Sequence, residues 1–146
     1  EYFETIEKER MAFTATDGEA GVFTFPQLYT ADLLRASQAR LDRAAAAVPA
    51  DSVFAKRVAF IQAGLTHTKL LMDTITLMEG YWQTKDSAVA ERVKQNWAAM
   101  EKNAADHPYS INWGPVRPTT PRMPGLHPDS PPPKAKKKRV NDLDLN

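Results

Sequence analysis

An all-α fold is what this sequence predicts. It is an antiparallel, up-down-up helical bundle of three main helices plus an N-terminal helix over residues 1–113, followed by a disordered Pro-rich, Lys/Arg-rich tail over residues 114–146. Three observations lead there. Apolar residues recur at helical spacing in four segments. Capping residues stand where each main segment begins. Eight of the 11 prolines fall between Pro115 and Pro133, where a fixed φ and a missing N–H forbid a helix or a central strand.

The first helix is predicted from Tyr2 to Phe13, with Tyr2, Phe3, Ile6 and Phe13 on one face at 100° per residue. The stretch TATDGEAGVFTFPQ, with its two glycines and proline, then breaks it and is expected to hold no regular structure, although VFTF has the character of a short strand. A second helix begins after Thr30, a good N-cap with Asp32 favourably placed in the first turn, and runs to Val48, where Pro49 ends it. Its apolar arc is Leu33, Leu34, Leu41, Ala44, Ala45 and Val48, with Arg35, Asp42 and Arg43 opposite. That is the pattern of a peripheral helix covering a core from one side.

The third helix, capped by Asp51 or Ser52 and continuing to about Gln83, is the longest. On a helical wheel Phe60, Gly64, His67, Leu71 and Met78 form one apolar face, and Ile61, Leu65, Thr68, Met72 and Ile75 form the next. Gln62, Thr66, Lys69, Asp73 and Thr76 fill the narrow polar remainder. A helix apolar over more than half its circumference needs two neighbours, so this one is central. A fourth helix opens at Asp86 or Ser87, carries Val89, Val93, Trp97, Met100 and Ala104 on a narrow stripe, and stops at His107-Pro108. Short connections make these helices antiparallel neighbours.

Composition excludes some chemistry. There is no cysteine, so disulfides and thiolate metal sites are unavailable, and a zinc site would need the scattered His67, His107 and His127. His67 is flanked by Thr66 and Thr68, but the positions one turn away are Ala63 and Leu71, so no HxxxH or ExxH pair forms there and a core or boundary histidine is expected. Gly64, unfavourable by roughly 1 kcal/mol inside a helix, predicts close approach of a neighbouring backbone. Glu79 falls inside the apolar arc near Trp82, and is expected to pair with Arg92 or to emerge at the bundle end. No second carboxylate accompanies it for glycosidic acid/base work. Of Trp82, Trp97 and Trp113, which could in principle stack on sugars, Trp97 belongs to the core stripe and only Trp113 is expected to be exposed. No cofactor is implied, and no apolar run approaches the roughly 20 residues that span a bilayer.

Net charge near zero conceals an asymmetry: residues 1–113 carry 12 Lys+Arg against 15 Asp+Glu, and residues 114–146 carry 7 against 3. Within the tail Lys134, Lys136, Lys137, Lys138 and Arg139 form a basic run that resembles a monopartite nuclear-import signal, and the terminal LDLN resembles the leucine-aspartate repression motifs of plant regulators. The plainer expectation is a solvated tail touching nucleic acid or another acidic surface weakly through counterion release.

Three stretches carry a wider resemblance: YFETIEKER at Tyr2 to Arg10, FPQLYTADLLRASQARLDRAAAA at Phe25 to Ala47, and RVAFIQAGLTHTKLLMD at Arg57 to Asp73. The aromatic YF-x-x-x-E opening, the Tyr-Thr helix entry and the R-V-x-F-x-x-x-G-L-x-x-T helix are similar to the helical region that follows the catalytic barrel in bacterial glycoside-hydrolase-like proteins related to alpha-glucuronidases. The likeness covers roughly residues 2–82. It implies that the chain is a piece of a larger, often exported protein, with a TIM barrel as its intramolecular partner and an extracytoplasmic setting. The barrel would hold the carbohydrate chemistry, so the likeness carries no catalytic residue onto this chain. It implies a shorter loop than 17–24 and does not account for the basic tail. The expected function is therefore a non-catalytic helical region packing against the barrel. The alternative is a stand-alone helical interaction module with a nuclear-import-like or nucleic-acid-binding tail.

Overall fold

The structure, a computed structural model, describes residues 1–12, 25–112 and 114. Among the described residues the elements are helices: α1 (Tyr2–Ala12), α2 (Phe25–Leu28), α3 (Ala31–Ala46), α4 (Val53–Thr84) and α5 (Ser87–Asp106). No helix among them is long and apolar enough to cross a membrane. Phe13, the loop 17–24, Trp113 and the basic tail lie outside the described residues.

Local chemistry sets the helix starts. Thr30 Oγ1 accepts the Leu33 N–H at 3.2 Å, Ser52 Oγ accepts that of Ala55 at 3.0 Å, and Asp86 Oδ1 accepts that of Ala88 at 2.8 Å. Each satisfies a donor that the first turn leaves without an intrahelical partner. α3 ends at Ala46, two residues before the predicted Val48, because Pro49 disfavours helical backbone at the residue before it. The predicted irregular stretch needs one correction. Phe25–Leu28 is a helical turn, closed by Tyr29 N–H donating to Phe25 O at 2.8 Å, with Pro26 in the first turn, where its missing N–H has no helical bond to lose. α4 stops at Lys85, whose left-handed backbone (φ 55°) turns the chain and lets its N–H donate to Tyr81 O. α5 begins two residues later, and this tight connection makes it antiparallel to α4.

α4 is the hub, packed by α3 on one side and α5 on the other. Interhelical bonds give the register: Asp73 meets Arg92 and Asn96, while the Ala63 carbonyl, further toward the start of α4, accepts from Asn103 Nδ2, further along α5. The centre of the α4–α5 seam is Met78, Val93, Trp97 and Met100, with Leu70, Leu71, Leu77, Tyr81 and Ala90 packed around it. α3 presents Leu33, Ser37 and Leu41. Ser37 lies within the stripe although the sequence placed only apolar residues there, since its position between Leu33 and Leu41 at i+4 spacing buries it regardless of polarity. Beyond α5 the Ile111 N–H donates to His107 O, and this turn brings Ile111 into the core.

Three central threonines of α4 are satisfied within the helix. Thr68, Thr74 and Thr76 Oγ1 donate to the carbonyls of Gly64, Leu70 and Met72 one turn back. Gly64 departs from expectation. A Cβ built there would meet nothing within 4 Å, so no neighbouring backbone approaches it. Its substitution tests that reading: Gly64→Ala raises the unfolding free energy by roughly 1 kcal/mol in chemical denaturation, through helix propensity and a less flexible unfolded chain. Trp97→Ala, by contrast, lowers it by roughly 3–5 kcal/mol, because it empties the middle of the α4–α5 seam.

Candidate interaction surface

Unequal helix lengths leave one end of the bundle open. By residue count α4 is 32 residues long and α5 is 20, a difference of about 18 Å at 1.5 Å per residue. The two-residue connection aligns their near ends, so all the excess appears at the start of α4. Asn103, one turn from the end of α5, already bonds to Ala63, and beyond this level only the final residue of α5, Asp106, and the turn after it stand beside Lys56, Ala59 and Phe60. Val53 and Phe54 are 56% exposed and Phe60 is 50% exposed. Phe60 was expected on the packed face with Gly64 and His67. The wheel angle is correct, but the neighbour that covers that angle higher up the helix has ended.

Around this end the exposed apolar groups converge. Phe3 of α1 forms an open groove with Val53, Lys56, Arg57, Phe60 and Ile61. Lys56 and Phe60 also line the adjoining groove beside His107, Pro108 and the fully projecting Tyr109. The Arg57 guanidinium lies 5.7 Å from the Phe54 ring centroid, a cation–π distance that keeps a charge on an otherwise apolar surface. Val53, Phe54 and Tyr109 were not singled out in the sequence. The signal for them was there in the predicted helix lengths, since a helix ending near Gln83 cannot be covered along its whole length by one ending at His107.

The remaining candidates resolve into packing groups. His67 is buried at 8% exposure, and desolvation lowers its pKa below the ordinary imidazole value, so the ring is neutral at pH 7. Among the described residues no cluster of three His, Asp or Glu side chains could hold a metal ion. Glu79 is exposed near the end of α4, the second of its two expected placements. Arg92 takes Asp73 as its partner at 3.4 Å, with Asn96 Nδ2 donating to the same carboxylate at 2.8 Å. The polar strip of α4 thus serves its seams: Gln62 and Gln38 of α3 exchange hydrogen bonds at 2.8 and 3.0 Å, and Lys69 Nζ donates to Gln38 Oε1 at 2.6 Å. Gln38 and Asn103 had no sequence signal, because a single polar residue beside an apolar stripe reads as solvated until its partner across the seam is known. Trp97 is buried as expected, while Trp82 is 47% exposed, against the expectation that Trp113 alone would be. Lys134, Lys136, Lys137, Lys138 and Arg139 lie outside the described residues.

With this geometry in hand, comparison with known proteins adds nothing further: no family model, no curated protein and no solved structure matches the chain.

His67 gives the bundle a calculable response to acid. Its folded pKa is lowered, so below about pH 6.5 the unfolded chain binds the proton more readily than the folded one, and stability falls as pH drops from there through the folded pKa. Denaturation midpoints between about pH 7.5 and pH 5 should show that decline. His67→Leu keeps the fold and flattens the decline, whereas an unchanged slope in the variant would assign it to other groups.

Proposed function

We propose that the chain is a non-catalytic helical packing module, which holds the open end of α4 against another folded body. One observation carries this: Phe3, Val53, Phe54, Phe60 and Tyr109, all large and apolar or aromatic, are exposed at one end of the bundle while its centre is fully packed. Scattered apolar residues on a surface are ordinary, but a converging group on a helix that has outrun its neighbour is an unfilled packing face. The scaffold suits the role. α4 is held by α5 along its later turns and by α3 along its first ones, where Ala55, Val58 and Gln62 face Leu41 and Ala45, so the exposed side of those first turns is preorganised and little ordering is required when a partner covers it.

On the sequence resemblance, the body that covers this face is the barrel of a glycoside-hydrolase-like polypeptide. The reading frame upstream of Glu1 tests that assignment: barrel strands ending in paired carboxylates support it, and a start codon a few residues before Glu1 removes it. The packing role is tested separately with Phe54→Ser/Phe60→Ser. This double variant should bind an apolar dye such as ANS several-fold less than the parent, while its unfolding free energy stays within about 0.5 kcal/mol, because both side chains are already half in water. Unchanged dye binding would show that the face is not an apolar docking surface.

A further inference from the structure

Resting on that packing reading, we propose that what seats on the open face is an acidic amphipathic helix, laid with its apolar stripe in the groove between α1 and the first turns of α4 and its carboxylates beside Lys56 and Arg57. The groove is lined by Phe3, Val53, Phe60 and Ile61 together with those two cations. Along α4, Val53, Arg57 and Phe60 stand at i, i+4 and i+7, and Phe54 and Ile61 repeat that seven-residue step. A docked amphipathic helix carries its own anchors at the same spacing, so the two can run side by side.

Charge selects the kind of helix. The groove's lining holds two cations and no carboxylate, whereas on other faces Arg35 pairs with Asp32, Arg92 with Asp73, Lys94 with Glu91 and Lys102 with Asp106. Among the described residues Lys56 and Arg57 form no ion pair, although both are exposed and both line the groove. Arg57 is instead held over the Phe54 ring, at the boundary between apolar surface and water, where a partner carboxylate would find it. α1 already illustrates the chemistry this wall accepts. It is an aromatic helix with Glu4, Glu7 and Glu9 against Lys8 and Arg10, and it lays Phe3 at the groove, yet none of its residues is buried. The groove it borders therefore stays open to a second helix of the same character. A lysine-flanked helix would meet like charge at the same places, which disfavours it.

The experiment compares two synthetic helices of about 18 residues sharing one leucine stripe, one flanked by glutamates and the other by lysines, titrated into the full chain by fluorescence anisotropy. The Glu-flanked helix should bind at least about tenfold more tightly at low salt, with the margin shrinking as salt screens it. Lys56→Glu/Arg57→Glu should reverse the order, and circular dichroism should show the same melt as the parent because both side chains are exposed. Equal affinity for the two helices, with both lost in Phe54→Ser/Phe60→Ser, overturns the acidic assignment while sustaining the packing reading. Binding of neither helix overturns the proposal, and the dye measurement then decides the packing reading independently. Tighter association with anionic phospholipid vesicles than with the Glu-flanked helix also overturns it, in favour of a membrane surface.

Discussion

One helix with two packed faces is the constraint on which this bundle depends. α4 has α3 on one side and α5 on the other, so its apolar residues spread over more than half of the helix circumference while those of its neighbours stay on narrow stripes. Trp97 and Met100 of α5 close on Met78 of α4, each at 1% exposure or less. That burial is what orders the remaining elements. α3 needs only Leu33, Ser37 and Leu41 to hold its side, and α1 buries nothing.

The same arrangement explains where polar residues are tolerated. Within α4 a threonine can return its hydroxyl to a carbonyl one turn back, so Thr74 is buried without a partner on another helix. At the seams, amides are used across the gap: Gln38 with Gln62 between α3 and α4, and Asn103 with the Ala63 carbonyl between α5 and α4. Asp73, Arg92 and Asn96 meet nearer the surface, where solvent screening leaves their ion pair little energetic weight. These bonds specify how far one helix slides along the next, and hence how much of α4 extends beyond α5.

Much of this was legible beforehand. Thr30, Ser52 and Asp86 announced three helix starts because capping is decided within one turn of chain, and the stripe Val93, Trp97, Met100 and Ala104 was readable because one periodicity governs it. The misses share a cause. Phe60 and Gly64 were each assigned surroundings from wheel angle alone, yet angle does not say whether a neighbour is present at that height along the axis. Phe60 lies toward the start of α4, where cover thins, and Gly64 lies where no backbone comes close. Phe25–Leu28 was missed for a different reason, since proline reads as a breaker although the first helical turn accepts it.

By itself, then, the sequence determined the helical character of this protein, its central helix, its caps and the identity of its core stripe, all of which follow from interactions within a few residues of chain or from a single repeat. Only the tertiary structure decided which apolar residues remain in water. Val53, Phe54 and Phe60 carry the same apolar signature as residues buried further along α4, and they differ only in standing beyond the reach of a shorter partner. Exposure is a property of what lies opposite, and what lies opposite is set by the relative lengths and register of helices distant in sequence.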